Sequence, residues 1–371
     1  MKRVLVFGMT ENPGGIESVL INYYRNIDRS KLQFDFLCNT LNKVAYEDEI
    51  LSLGANVFHI EPRRKNRKRF KKELDNLFQE HENEWESIWV NMCNLVNIDY
   101  LIFAKKHNIQ KRIIHSHNSQ NMEDPIRGIL HSINKRRIQK YATDYWACSE
   151  SAADWFYEAE IRRKVRIIHN AIDVDKMSFD GEKRKVIREA NAFEDSYIIG
   201  NVGRLHFQKN QSFMIDVFKE YHSQYPDSIL VLVGQGEDER ILKERVVKEG
   251  LAESVRFMGV QKDIQGWLSS FDLFLFPSLF EGLGVALLEA QANGVPILAS
   301  ANVIPTEVRI NDNFTFMSLE KTAGEWAKTI QDKRKKARRC ILEDIKEGFI
   351  TKGYDISTEA DTLTHLLIQE G

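Results

Sequence analysis

The chain has 371 residues, of which 43% are hydrophobic and 29% charged, and its net charge is −2. That length suits two domains of roughly 150–200 residues each, and that charge offers no global attraction for nucleic acid or membrane. Cys38, Cys93, Cys148 and Cys340 form no C-x-x-C pair, which argues against a disulfide framework or cysteine metal site and for a reducing cytoplasm.

The start, "MKRVLVFGMTENPGG", has an apolar run too short for a secretory core and reads as a first strand. No later stretch approaches the roughly 18 apolar residues of a spanning helix. Val4–Met9 predicts a strand, "TENPGG" a loop and "IESVLINYYRNI" a helix. Further strands are predicted at Gln33–Cys38, Asn56–Ile60, Ser87–Val90, Arg112–His115, 144–149 and 165–170, with a helix at Asn97–Lys106. The pattern then restarts. Tyr197–Val202, Ile229–Val233, Val255–Met258, Leu273–Phe276 and Pro296–Ala299 read as strands, alternating with helices at Gln211–Tyr221, Glu237–Lys248, Ile264–Ser270 and Val285–Asn293. Such alternation predicts parallel sheets covered by helices on both faces. Two such units predict two Rossmann-like domains facing across a cleft, with the seam in the polar stretch 174–195 and ligands beyond the carboxyl ends of the strands.

Several loops at those strand ends carry chemistry. "GMTENPGG" is not the G-x-G-x-x-G of dinucleotide enzymes; Gly14 and Gly15 read either as a tight turn or as a phosphate approach at a helix N-terminus. In "NVGRLHFQKN" (201–210), Arg204 and Lys209 follow a strand and precede a helix, a placement that suits a diphosphate, against the plainer reading of a solvated charged loop. In "FPSLFEGLGVALLEAQANG", Glu281 lies in a glycine-rich turn and Glu289 inside an otherwise apolar helix. A buried carboxylate needs strong donors, such as adjacent sugar hydroxyls or an internal Arg. A hydrolase acid–base pair is an alternative for these two acids, but it leaves Arg204 and Lys209 without a task. "DVD" (173–175) invites a metal reading; Asp175 reads more simply as a helix N-cap.

The motifs "GGIE" (14–17), "HSHN" (115–118), "HNAID" (169–173), "GRLHFQKN" (203–210), "LVGQGEDE" (232–239) and "FPSLFEGLGVALLEA" (276–290) together resemble the GT-B glycosyltransferases, and specifically the retaining family 4. The resemblance spans residues 14 to 290 and is most specific in the second half. It implies an α/β GT-B fold, with an acceptor-binding domain at residues 1–173, a nucleotide-sugar-binding domain at 174–352, and a carboxyl-terminal helix in 353–371 crossing back to the first domain. It implies that Glu281, with the backbone N–H groups of Gly282, Leu283, Gly284 and Val285, holds the donor sugar, and that Glu289 binds the ribose hydroxyls. Arg204 and Lys209 match the diphosphate clamp, Gly15 the glycine that lets the first-domain loop approach the phosphates, and His117 the histidine beside the reacting sugar carbon. Val260 matches, loosely, the lining of the base pocket. Ala171 stands where the family has glycine, which bears on hinge geometry more than on chemistry.

The activity implied by the resemblance is retaining sugar transfer from a nucleotide sugar, a UDP-sugar by analogy, to a lipid-linked or polysaccharide acceptor in cell-surface glycan synthesis. No metal or other cofactor is expected. An epimerase on the same fold, or a non-catalytic sugar-nucleotide or glycan-binding module, is the rival. Finally, "RRKNRKRFKK" (Arg63–Lys72) has eight basic residues in ten. Its plain reading is a solvated helix face; its functional reading is salt-sensitive attachment to an anionic membrane at the inner face of the cell. A single aromatic, Phe70, argues against nucleic acid.

Overall fold

The computed structural model describes residues 1–118, 125–281 and 284–368. Two compact units emerge, Met1–Ile172 with Gly353–Gly371, and Asp173–Lys352. In the first, the order is β1 (Lys2–Phe7), α1 (Gly15–Asn26), β2 (Leu32–Cys38), α2 (Glu47–Ser52), β3 (Val57–His59), α3 (Arg67–Glu80), β4 (Ser87–Met92) and α4 (Asp99–Lys106). There follow β5 (Lys111–Ser116), α5 (Pro125–Arg137), β6 (Asp144–Ala147), α6 (Glu150–Phe156), α7 (Ala159–Arg162) and β7 (Arg166–Ile167). The seven strands are parallel in the order β3-β2-β1-β4-β5-β6-β7.

The continuous apolar runs have their physical cause here. Every residue of β2 is buried, and Phe34, Phe36, Trp89 and Tyr24 pack ring against ring beneath α1. The one acid in that strand, Asp35, is fully satisfied: it accepts from Arg3 (Nε at 2.8 Å), from Trp85 Nε1 (2.9 Å) and from the backbone of Asn56 (2.9 Å).

The second unit runs α8 (Val174–Met177), α9 (Gly181–Ala190), β8 (Tyr197–Val202), α10 (Gln211–His222), β9 (Ser228–Val233), α11 (Glu239–Lys248) and β10 (Val255–Gly259). It continues with α12 (Ile264–Ser270), β11 (Leu273–Phe276), α13 (Val285–Ala292), β12 (Ile297–Ser300), β13 (Phe314–Met317), α14 (Ala323–Lys336) and α15 (Leu342–Thr351). Six parallel strands lie in the order β10-β9-β8-β11-β12-β13. The polar stretch 174–195 is more than a linker. It contains α8 and α9, and Arg184 and Arg188 of α9 both grip Asp272 at 2.6 Å.

The last helix, α16 (Ile356–Ile368), belongs to the first unit and packs on α1 and β2. Ile172 and Ile356 tie its start to the end of the first pass through that unit, Ile172 N–H donating to Tyr354 (3.0 Å) and Ile356 N–H to Ile172 (3.0 Å).

Candidate active site

In an open parallel sheet the strand order reverses at one point, and the loops leaving the two strands there diverge to leave a crevice. In the second unit that point lies between β8 and β11, since β9 flanks β8 on one side and β11 on the other. The loop after β8 carries Arg204 and Lys209; the loop after β11 carries Glu281. They are stitched together, Leu279 N–H donating to Gln208 O (2.8 Å), Gln208 Nε2 to Phe280 O (2.9 Å) and Asn210 Nδ2 to Pro277 O (3.1 Å). Lys209 Nζ donates to Glu281 Oε1 at 2.6 Å, both side chains being largely buried, and rests 4.9 Å from the centre of the Phe276 ring.

Arg204 is held apart from this pair. Its guanidinium grips Glu237 in a two-point contact, Nε and Nη2 each at 3.0 Å, in the open. The two cations thus each have a carboxylate partner, Glu281 or Glu237. Glu237 lies in "LVGQGEDE" but was not singled out by the sequence. Its signal was the glycine pair Gly234 and Gly236, whose missing Cβ atoms let this loop lie against the backbone of Gly203 and Leu205.

Glu289 sits in α13, a helix that is apolar nearly all round, with Leu287, Leu288, Ala290, Gln291 and Ala292 buried. Its residue is half-buried, and burial alone pushes its carboxyl from 4.5 to about 7. No donor among the described residues satisfies it, so no internal Arg among them fills that role. α13 begins at Gly284, whose φ of +75° is accessible to glycine at little cost, and no side chain caps it. Val285 is its first residue. Gly282 and Leu283 lie outside the described residues. Val260 follows β10 and is 52% exposed.

The first unit presents a second set at the carboxyl edge of its own sheet. α1 starts at Gly15 with Gly14 as an N-cap that offers no side chain. A Cβ at Gly14 would lie 2.8 Å from Glu17 Oε2, so another residue there would push the tip of the Glu17 side chain aside. Glu17 is itself buried, and burial raises its pKa. His117 follows β5 directly. Its ring is fixed by Asn91 at the end of β4. Asn91 Nδ2 donates to the Phe7 (3.2 Å) and Trp89 (3.4 Å) carbonyls, which turns its Oδ1 toward His117 Nε2 at 2.8 Å. That contact places the imidazole proton on Nε2 and leaves Nδ1 a lone-pair acceptor. Burial drives the pKa of His117 down to about 3, so the ring is neutral. Its Nδ1 and the Asn170 Oδ1 are buried and have no hydrogen bond of ordinary geometry among the described residues, although the Asn170 side chain lies close enough to raise the His117 pKa against the larger effect of burial. His115 is a core residue, wholly buried and accepting from Trp89 Nε1 at 3.2 Å, and its ring centre lies 4.1 Å from that of His117. Asn91 was missed by the sequence reading, though its pairing opposite His115 in the β4–β5 register is implied by strand order once that order is known.

At α8 the structure corrects the expected cap. The N-cap is Asp173, which accepts from Lys176 N–H at 2.9 Å, whereas Asp175 sits in the first turn and pairs with Lys346 at 2.6 Å. The cap is fixed by where the backbone leaves extended geometry, which "DVD" alone does not specify. No group of three or more His, Cys, Asp or Glu among the described residues is placed to hold a metal. In the basic run, Asn66 caps α3, Phe70 is buried, and several cations are neutralised: Arg63 by Asp99 (3.0 Å), Arg69 by Glu73 (2.6 Å) and Glu61 (3.5 Å), Lys71 by Asp99 (3.7 Å). Among the described residues no helix is long and apolar enough to cross a membrane.

Comparison with known proteins identifies the family. Residues 182–366 match the family Glycosyl transferases group 1. Over 374 aligned residues the chain is 30% identical to "Putative glycosyltransferase EpsF" of Bacillus subtilis (strain 168), covering 98% of this chain and 96% of that protein. It is 32% identical over 141 residues to the UDP-Gal:alpha-D-GlcNAc-diphosphoundecaprenol alpha-1,3-galactosyltransferase of Escherichia coli, 37% of this chain and 36% of that one. Among solved structures, Anabaena Alr3699/HepE in complex with UDP and glucose superposes with a TM-score of 0.81 at 17% identity over 100% of both chains. WaaG, a glycosyltransferase involved in lipopolysaccharide biosynthesis, does so with a TM-score of 0.74 at 15% identity over 99% of this chain and 100% of that one. At such identities the structural likeness is one of fold, and that fold is GT-B. With it stands a relative matched at 30% along nearly the whole length of both chains, and the chain therefore belongs to the group 1 glycosyl transferases.

Proposed function

We propose that this enzyme transfers a sugar, with retention of anomeric configuration, from a UDP-sugar to a hydroxyl of a lipid-linked or polysaccharide acceptor in cell-surface glycan synthesis. The observation that carries the donor half is Glu289: a carboxylate with its pKa lifted to about 7 and no protein donor among the described residues, following the loop in which Lys209 meets Glu281. Adjacent ribose hydroxyls would supply the missing donors. Lys209 and Arg204 meet the diphosphate, and Glu281 together with the backbone N–H groups of Gly282, Leu283, Gly284 and Val285 holds the sugar. Val260 lines the base. The Escherichia coli relative is named for a UDP-sugar and a diphosphoundecaprenol acceptor, and the Anabaena structure contains UDP and glucose; both support this choice of donor, and the first supports a lipid-linked acceptor.

In the reaction the bond between the sugar's anomeric carbon and the β-phosphate oxygen breaks. The acceptor oxygen forms its bond to that carbon on the same face, and its proton passes to the departing phosphate. Charge develops on the diphosphate, which is where preorganised cations and helix N-termini act best: Lys209, Arg204, the N-terminus of α13 and the Gly14–Gly15 start of α1. His117, neutral and with its proton fixed on Nε2, offers the Nδ1 lone pair to a sugar hydroxyl and so orients the donor. This scheme assigns no metal.

Incubating the protein with a panel of UDP-, GDP- and ADP-sugars and a lipid-diphosphate acceptor tests it. UDP release with a product of unchanged anomeric configuration is the expected result. An inverted product, or selective turnover of GDP- or ADP-sugars, would overturn the assignment.

A further inference from the structure

The second unit carries a cationic cavity at the edge of its sheet away from the loops after β8 and β11. Arg184, Lys333, Arg334, Arg338 and Arg339 line it, and Asp272 is the one acid among its lining residues. Asp272 and Pro296 stand immediately before β11 and β12, so the cavity opens at the amino ends of the strands. Lys209 and Glu281 lie beyond the carboxyl ends. From Asp272 to Pro277 the chain runs about 16 Å at roughly 3.3 Å per residue, so the two places are distinct.

The charges in this cavity do not balance. Asp272 is already saturated, accepting from Arg184 Nη2 (2.6 Å), Arg188 Nη2 (2.6 Å) and the Ile198 N–H (2.8 Å). Arg334 belongs to Asp227, to which it donates at 2.5 Å. The other three cations have no carboxylate contact among the described residues. Arg339 donates to neutral oxygens, the carbonyls of Leu268 (3.1 Å), Ser269 (2.9 Å), Phe271 (2.5 Å) and Asn293 (3.1 Å) and the Asn293 Oδ1 (2.5 Å). Burial first, and then Arg184, pulls its pKa down to about 9, so it remains a cation. Lys333 donates to the Asn313 carbonyl at 2.9 Å, and burial with Arg309 nearby lowers its pKa to about 8. Arg338 is exposed and donates to the Ala337 carbonyl at 2.8 Å. The end of α12 accounts for Arg339, because a cation there offsets the helix dipole. It does not account for a lysine and a second arginine gathered around the same cavity without an acid, an arrangement that an anion relieves.

We propose that this cavity binds a phosphate-class oxyanion, with Lys333 and Arg338 as the groups that close on it and Arg184 and Arg339 as its fixed cationic wall. Four guanidinium groups and an amine in so small a space call for more than one negative charge, which favours phosphate over a carboxylate. The volume of about 210 Å³ lies below the roughly 300–1,000 Å³ of pockets for drug-sized ligands. It suits a phosphate or diphosphate and is too small for a whole nucleotide sugar.

The test titrates inorganic phosphate, inorganic diphosphate and glycerol 3-phosphate into the full chain by calorimetry, with and without saturating UDP. Diphosphate should bind in both conditions, and its affinity should fall as salt rises. The variant Lys333→Gln, Arg338→Gln breaks no contact with a carboxylate and should keep the wild-type melting temperature. Its diphosphate affinity in the presence of UDP should drop by at least about tenfold, the scale of a lost charge-assisted hydrogen bond, with UDP affinity unchanged. Arg338→Glu, which reverses one exposed charge, should lose diphosphate as well and serves if the double variant melts early. Glycerol 3-phosphate binding as tightly as inorganic phosphate would assign the anion to an ester of a larger molecule, and its rejection would assign the free ion; both support the site. Diphosphate wholly displaced by UDP, variants that bind it as wild type does, or no binding at low salt would each overturn the proposal. A protein that ignores UDP would instead refute the donor-site assignment, since diphosphate binding and its loss in the variants are read without UDP too.

Discussion

Glu289→Gln is the substitution on which the nucleotide-site assignment stands or falls. Burial lifts the carboxyl from 4.5 to about 7, so the folded state prefers it protonated. Below pH 4.5 the group is protonated folded and unfolded and contributes no penalty; between 4.5 and 7 the unfolded chain releases the proton and the folded chain does not. Above 7 the full penalty is present. A rise of that size corresponds to about 3 kcal/mol, and roughly 2 after allowing for the residue's partial contact with water. Gln removes the ionisation, so the variant should melt close to wild type at pH 5 and about 4–8 °C higher at pH 8.5. UDP should close much of that gap, because ribose hydroxyls donate to the ionised wild-type carboxylate. Binding should release a proton between pH 6 and 7, visible as a buffer-dependent enthalpy in calorimetry, and UDP affinity should fall in the variant. Thermal scans from pH 5 to 9, with and without UDP, supply the readout. Parallel melting curves for the two proteins, or a variant that binds UDP as wild type does, would refute the reasoning.

The two cations should separate by stability although they share an effect on rate. Lys209→Ala removes the partner of a buried carboxylate and should cost about 3 kcal/mol, whereas Arg204→Ala breaks an exposed pair and should leave the melting temperature almost unmoved; each should lower kcat by about 10²–10³, and near-normal turnover in either displaces the diphosphate clamp. Glu281→Gln should depress sugar transfer more than UDP affinity, and equal losses would make it structural. His117→Ala should lower kcat while sparing UDP binding. Because burial holds His117 near a pKa of about 3, any acid limb in the rate between pH 5 and 8 should persist in His117→Gln, and its disappearance would show the histidine titrating there. EDTA should leave turnover unchanged; a requirement for added Mg²⁺ or Mn²⁺ would reopen the roles of Asp173 and Asp175.

The parallel sheets were legible because their strands are buried on both faces and read as unbroken apolar runs: β8, α12 and β11 begin and end where the sequence puts them. What escaped lay where the local pattern depends on a partner. α5 was missed because its apolar residues face out and its polar residues are bolted in, the reverse of the rule by which helices are found. α14 carried a readable signal, Thr322 and Glu325 forming a complete capping box, but the basic run Lys333–Lys336 hid it; those cations complete the helix by facing the negative end of its dipole. Of the candidate site residues, Glu281, Glu289 and Lys209 in the second unit and His117 in the first are each recognisable from residue type and loop position. The residues that hold them, Asn91 for His117 and Glu237 for Arg204, are brought in by strands and loops far away in sequence, and only the sheet order makes them neighbours.

Three acids show how much the protein fold itself decides. Asp35 is wholly buried, yet Arg3, Trp85 and a backbone N–H saturate it, and its place is in the packing of β2. Glu281 is almost as deeply buried and pairs with Lys209 from the adjoining loop. Under the proposed assignment an incoming diphosphate would attract that lysine, the contact at 2.6 Å would lengthen or be shared, and the energy of the pair would be subtracted from binding. The contact holds two loops in register, and under the same proposal the lysine would serve the charge that grows as the diphosphate departs. Glu289 has no protein partner among the described residues and carries the destabilisation in its raised pKa. A fold selected for stability alone would replace it with Leu or supply an arginine, as it supplied Arg3 for Asp35. That it does neither is the physical reason to look for its donors on a ligand, and the ribose diol is the candidate whose removal the Gln variant measures.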